Sequence, residues 1–576
     1  MRRRGDSRLA WAAALVSLAG IAAARAVLAA LAFLLDPGAA AAWVAFEAEC
    51  GGVRRALEES FVRPAEAAEA RFVPLLAASL GDELRSSRAA EAFLSPEAVI
   101  AAARAARGEA TVAAFVARLR GASPFRGGNG DAARVRLRAA LRGAVQRLDR
   151  FSDLLLGGGA ANLALVLRLS FPLLSGIDLV RDASGAVRID LVVAASGAAA
   201  AGLRRGDEVE SLDGRPASDL SLADLRDALS RPAELVVRRP GFSAPFRVAL
   251  GCDAASLLRV ESALLPGGIG WIRIPLFYPG SSMHLVDSVR SLREDGARAL
   301  VLDLRGNPGG AVADALLMAD LFLGAGRRLV RFEGGSLSPA ARALREKAYE
   351  SRASEADFGG PLVALVDGSS ASASELLAMA LRESGRARLV GERTFGKGVA
   401  QIVQPLAVTE DAAGGRLPAA IVDLLSVTAL RFVSGSGAID LHGTGLEPDV
   451  VSLAAAPPEA EFVAALAGVA AADAYVDSAI PLDGDLAESL ARDDGGDPSR
   501  YPRLEKAATA IGAGDLETAR RRVRARLRAR RLAAGLDAGP DFREDPALRD
   551  AIREVLALCG VDPADVPELG LSRRER

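Results

Sequence analysis

The sequence predicts an α/β fold flanked by helical regions, and three observations carry that expectation. Short apolar runs at 268–274, 299–304 and 362–366 have the length and composition of buried strands. Segments 282–294, 311–323 and 373–384 place apolar residues at helical spacing. Strands and helices that alternate along a chain build one sheet covered by helices. With 576 residues, 50% of them apolar and 25% charged, the chain has ordinary globular composition and room for three or four domains.

In chain order, Arg2, Arg3, Arg4 and Arg8 precede an apolar run from Leu9 to Ala24, then Arg25 and a second run from Ala26 to Leu35. A basic flank followed by an alanine- and leucine-rich run reads as an export signal or retained membrane anchor over 1–38. The expected localisation is therefore periplasmic or cell-envelope. Membrane contact is expected only through this segment, since later apolar runs are short or carry charges. Residues 39–158 have a helical pattern, broken by glycines at 127–130, and suggest packing or dimerisation.

Residues 159–255 alternate strand and turn: a short helix near Ala198–Ala201, a strand Glu208–Leu212, a hairpin turn at Asp213-Gly214, and a helix capped by Ser221 with Leu222, Leu225 and Leu229 on its apolar face. Residues 256–455 hold the α/β pattern. Within them, Asp303-Leu304-Arg305-Gly306-Asn307-Pro308-Gly309-Gly310 ends a strand in a loop rich in backbone N–H groups. The loop at 410–420 is expected to be exposed. Residues 456–576 give a helical C-terminal extension. Its RRRVRARLRARR run reads as a solvated helix face or a site for an acidic partner.

The chemistry concentrates in 361–401. The strand Pro361–Val366 breaks at Asp367-Gly368, and a helix then begins near Ser372. This places a side chain at a helix N-terminus, where free N–H groups favour developing negative charge. Lysine occurs only at 347, 397 and 506, so of 71 basic residues 71 − 3 = 68 are arginine. Lys397 between Gly396 and Gly398 suggests an amine able to lose its proton when desolvated, which arginine cannot do. Serine and lysine together make a minimal nucleophile–base pair. Ser372-x-x-Glu375 is equally a capping box, and Lys397 equally a surface residue in a glycine loop; by residue type both readings stand.

Composition excludes other chemistries. A net charge of −2 gives no reason to expect nucleic acid as a partner. Cys50, Cys252 and Cys559 lack metal-ligand spacing, and His284 and His442 form no H-x-x-x-H pattern. No metal and no cofactor is expected. A lipase-type hydrolase is disfavoured by the lack of G-x-S-x-G.

The strings LDLRGNPGG (302–310), SASASE and GERTFGKGVAQ together resemble the C-terminal processing (tail-specific) serine peptidases. The resemblance implies a mixed-sheet Ser–Lys peptidase core with an inserted PDZ domain. It makes Ser372 the nucleophile, which the 25-residue spacing to the lysine selects over Ser369 and Ser370. Lys397 becomes the general base and Gln401 the residue that orients it. Gly309 or Gly310, with the N–H of Ala373, would form the oxyanion hole. The piece ALRGAVQRLDRFSDLLL (140–156) resembles the helix and turn before the family's peptide-binding domain, with Asp149-Arg150 where Asp-Pro is more usual.

RIDLVVAASGAAAAGLRRGDEVESLDGRP (188–216) looks like a PDZ domain, whose peptide site would comprise Ser175, Gly176, Ile177, Asp178 and Leu225. Asp178 is an odd neighbour for an anionic terminus. The implied partners are protein or peptide substrates with free C-termini, and the family leaves room for an adaptor or activating protein and a homo-oligomer. The competing class is a catalytically inactive PDZ scaffold of the same fold.

Overall fold

Alternation of side chains decides the central sheet. Leu300, Leu302, Leu362 and Ala364 face one side, and Ala299, Val301, Val363 and Leu365 face the other, so both faces are apolar and both must be covered. The computed structural model describes residues 37–571 apart from 62–67, 85–95, 121–129, 150, 156–174, 183, 194–195, 221, 252–258, 335–338, 348, 353–357, 406–423, 454–456 and 535. The N-terminal basic and apolar segment, the Ser221 cap and the loop at 410–420 lie outside the described residues. Among the described residues no single helix is long and apolar enough to cross a membrane.

The central sheet has six strands in the order Val450–Val451, Arg388–Gly391, Leu362–Val366, Ala299–Asp303, Ile269–Arg273 and Glu261–Leu265. All neighbours are parallel except the last pair. Helices Ser281–Glu294, Val312–Phe322 and Ala373–Glu383 supply the cover on one face. The opposite face is covered by helix Pro546–Leu558, through Leu548, Ile552 and Val555. Helix Pro546–Leu558 of the C-terminal extension is thus the second helical layer of the central sheet.

A second sheet has the order Asp153–Leu155, Leu424–Ser434, Arg328–Glu333 and Tyr349–Glu350, with Val399–Pro405 also paired to Leu424–Ser434. The N-terminal helices Pro37–Ser60, Glu69–Glu83, Pro96–Ala106, Val112–Arg120 and Gly130–Leu148 build a core of their own that takes in Leu425 and Val427 of this sheet. Within 442–451 only Val450–Val451 pairs; 442–449 is turn and irregular backbone.

Residues 177–250 form a third sheet in the order Ile177–Arg181, Val187–Val192, Glu208–Leu212, Ala233–Arg238 and Phe246–Leu250, with the short strand Arg215–Pro216 on Glu208–Leu212. The Asp213-Gly214 turn has both residues at positive φ (48° and 74°), the geometry a two-residue hairpin needs. This small β domain borrows Phe462 from the C-terminal extension. Its ring stacks edge-on against Phe246 at 5.0 Å, under the Arg239 guanidinium at 4.5 Å.

The arginine run corrects the expectation of a solvated face. In helix Leu516–Ala533, Arg520 and Arg524 are each 1% exposed. Arg520 donates to Asp494 (2.5 Å), Glu517 (2.6 Å) and Glu544, while Arg524 donates to the Leu490, Ala491 and Arg492 carbonyls and to Asp541. Arg524 therefore caps the end of helix Asp485–Arg492, whose last carbonyls have no partner within their own helix. A buried guanidinium is tolerated because its donors meet carboxylates and carbonyls.

Candidate active site

Three loops meet at the carboxyl ends of three adjacent parallel strands, where open α/β sheets place their sites. They are 304–310 after Ala299–Asp303, 367–372 after Leu362–Val366 and 392–398 after Arg388–Gly391. Two carboxylates, Glu375 and Asp367, tie them together.

Ser372 stands before helix Ala373–Glu383 at φ 55° and ψ −112°. A non-glycine residue with positive φ is strained and is held only by its surroundings. The holding group is Glu375, fully buried. Its carboxylate accepts the Ser372 N–H (3.0 Å), the Thr394 hydroxyl (2.5 Å), the Gly396 N–H (2.7 Å) and the Lys397 N–H (2.7 Å). Glu375 thus ties the candidate nucleophile to the loop of the candidate base, far more than its capping-box spacing suggested. Burial pushes its carboxyl above the usual range, while these four hydrogen bonds pull it back.

Asp367 does the same between the first two loops. Its carboxylate accepts the N–H groups of Gly306, Ser369 and Ser370, each at 2.9 Å. Loss of solvent raises this carboxyl above its ordinary value, partly offset by those N–H groups and by Arg305. Arg305 itself is forked between Asp303 (2.9 and 2.7 Å) and Asp545 (2.9 and 2.7 Å), so the segment entering the C-terminal helix also braces the loop. Its carboxylate partners hold the guanidinium well above its ordinary pKa against the cost of burial.

Of the glycines expected to form an oxyanion hole, Gly309 has its N–H committed to the Asn307 side chain at 2.8 Å. Its contribution is space, since a Cβ there would stand 2.6 Å from the Ala371 carbonyl and 2.8 Å from the Ala373 nitrogen. Gly310, at φ 135°, is pinned beside Phe277 by hydrogen bonds from its two neighbours, Phe277 N–H to Gly309 O (2.9 Å) and Ala311 N–H to Phe277 O (2.8 Å). Ala373 opens helix Ala373–Glu383, so its N–H has no acceptor within that helix.

Lys397 is half-buried rather than sealed, and lines a cleft of about 1330 Å³ with Phe395, Ala371, Pro308 and Phe151. Its ammonium lies 4.9 Å from the centroid of the Phe151 ring. Gln401 Nε2 donates to the Thr428 hydroxyl at 3.1 Å, and Thr428 in turn donates to Asp149. The other walls of the cleft are helices Glu69–Glu83 and Gly130–Leu148 and the first strand of the small β domain.

The residues expected as a peptide site sit in that domain. Ser175 is buried, and Gly176 (φ 79°) accepts from the Val193 N–H at 2.8 Å. Ile177 and Leu225 belong to the domain's core, so their side chains pack inward rather than offering a peptide contact. Asp178 is paired with Arg226 at 3.1 Å, both on the cleft wall, which explains an acidic residue at this place. The domain docks on the 367–372 loop through Leu191 and Val193 against Ala371, and Arg205 lies over the Phe395 ring at 4.4 Å.

Sequence reasoning missed Glu375 and Asp367 as staples, and Phe151 and Thr428 altogether. Only the proximity of Phe151 to Asp149 in a string already singled out pointed toward it.

Residues 268–452 match the model of peptidase family S41. The chain is 31% identical over 289 residues to the carboxyl-terminal-processing protease of Synechocystis sp., covering 48% of this chain and 62% of that one. It is 30% identical over 228 residues to the carboxy-terminal processing protease CtpA of Bacillus subtilis, covering 38% and 47%. The chain thus spans about half to three fifths of the length of these relatives. Among solved structures, a photosystem II D1 C-terminal processing protease matches at 27% identity and TM-score 0.43, over 55% of this chain and 82% of that one. Residues 268–452, which hold all three loops and Gln401, are thus the part of the chain that is similar to peptidase family S41, and the relatives that match it are carboxy-terminal processing proteases.

Proposed function

We propose that the protein is a serine endopeptidase that cleaves protein chains near or at their C-termini by a Ser–Lys mechanism. In this reading the Lys397 amine takes the proton of the Ser372 hydroxyl as Oγ bonds to the substrate carbonyl carbon. The carbonyl oxygen, now an oxyanion, is met by the Gly310 and Ala373 N–H groups at the helix N-terminus. The lysine proton then passes to the departing amine, leaving an acyl-enzyme, and a water molecule repeats the sequence to release the acid. Gln401, fixed by Thr428, orients the lysine.

The observation that carries this reading is the strained Ser372 backbone, held by the same buried carboxylate that holds the Lys397 N–H. Strain of this kind is sustained where geometry must be over-determined. Replacing Ser372 by Ala removes one hydroxyl and is expected to abolish hydrolysis of an unfolded protein ending in an apolar residue. The fold should lose at most about 0.5–2 kcal/mol, the worth of a helix cap. Purified S372A that still cleaves would end the assignment.

We further read the small β domain as a PDZ domain that recognises substrate C-termini or gates the cleft, and the N-terminal segment as an export signal or anchor. If the domain captures a terminus, amidating the substrate's C-terminus weakens binding, because its backbone N–H groups lose an anionic partner. Equal affinity for both forms would leave the domain as a gate, an outcome consistent with Asp178 already holding Arg226.

A further inference from the structure

Phe151 lies on the turn that leaves helix Gly130–Leu148, outside the peptidase segment, yet its ring is 4.9 Å from the Lys397 ammonium. The turn is tied down on both sides of that ring. The Ser152 N–H donates to the Asp149 carbonyl at 3.0 Å and the Ser152 hydroxyl to the Asp149 carboxylate at 3.0 Å. The Thr428 N–H donates to the Ser152 hydroxyl at 3.0 Å, and the Thr428 hydroxyl donates to Asp149. Since Gln401 donates to the same Thr428 hydroxyl, one polar cluster fixes both the glutamine and the turn that presents the ring.

We propose that Phe151 is a positioning residue for the Lys397 base: its ring face holds the amine as an ammonium, so that the N-terminal helical region sets the pH at which the site switches on. The inference rests on the Ser–Lys reading above. An aromatic face attracts a cation and has no comparable attraction for a neutral amine. It therefore opposes the proton loss that a lysine base requires. Phe151 acts through Lys397 and touches no reacting atom of the substrate.

Other charged groups also act on this amine. Glu375 accepts the lysine's backbone N–H, and Asp149 stands behind Thr428. His442 stacks edge-on against Phe151 at 6.3 Å, while Arg147, Arg181 and Asp190 line the same cleft. Replacing only the ring at 151 leaves the carboxylates and guanidinium groups in place, and the one contact it removes among these groups is that with His442.

The test is the pH dependence of kcat/KM on an unfolded protein substrate for the full chain, with Phe151→Leu and Phe151→Trp beside wild type. Leucine keeps apolar volume without the cation-attracting face, and tryptophan strengthens that face. The acid limb is expected to move to lower pH in Phe151→Leu by about half a unit to one and a half units, and not to fall below wild type in Phe151→Trp. A packing role alone would lower the plateau and leave the limb in place. A limb that coincides with wild type in both Phe151 variants overturns the proposal. Lys397→Arg separates the two levels: if it is inactive while the limb stays fixed, only the role of Phe151 fails. If it retains turnover, the lysine-base reading fails and this proposal with it.

Discussion

Lys397→Arg is expected to give a folded protein that has lost on the order of 10²–10⁴-fold in turnover, the usual worth of a positioned general base. The guanidinium keeps the positive charge and can still lie over Phe151, a contact arginine makes readily. The backbone N–H that Glu375 accepts is untouched by the exchange. What disappears, in the Ser–Lys reading, is an amine that can act as a base. Thermal unfolding and a cleavage assay on the same preparation separate the two effects. Arginine at this place with near wild-type turnover would mean that the site needs a charge rather than a base.

Glu375→Gln is the second large effect, and it reaches both stability and activity. The carboxylate faces four donors and offers only acceptors. A glutamine must turn an NH₂ toward some of them, costing about 1–3 kcal/mol for each buried donor left without an acceptor. Ser372 would then relax from its positive φ and the Lys397 loop would move with it. Misplacement by about an ångström costs on the order of 10²-fold in rate. Equal turnover and equal melting temperature in the variant would show that the clamp is dispensable.

The raised carboxyl of Glu375 also fixes the sign of a pH effect. Its folded pKa lies above the unfolded value, so its contribution to stability is full below the unfolded pKa and falls away as pH rises through the folded one. Acidification therefore does not unfold the protein through this residue. It disables the site instead, because a protonated carboxyl can no longer accept all four bonds, and inactivation begins at a higher pH than an ordinary glutamate would set.

The sequence by itself determined the alternation of strand and helix, and with it the sheet and the loops at its carboxyl ends. Runs such as Leu362–Val366 and helices such as Ala373–Glu383 are short-range patterns that a chain reveals locally. The unusual lysine and the glycine-rich strings marked the candidate site for the same reason.

Other features are decided by partners distant in sequence, and only the tertiary structure shows them. The run around Arg520 and Arg524 looks solvated until Asp494, Glu544 and the end of another helix are brought against it. Helix Pro546–Leu558 looks like an appendage until the apolar far face of the sheet requires it. Glu375 looks like a helix cap until Thr394 and Gly396 arrive from the next strand's loop, and Phe151 looks like any turn residue until Lys397 stands over it. In each case the deciding term is desolvation: a carboxylate, a guanidinium or an aromatic face acquires its role only when folding replaces water with one particular partner.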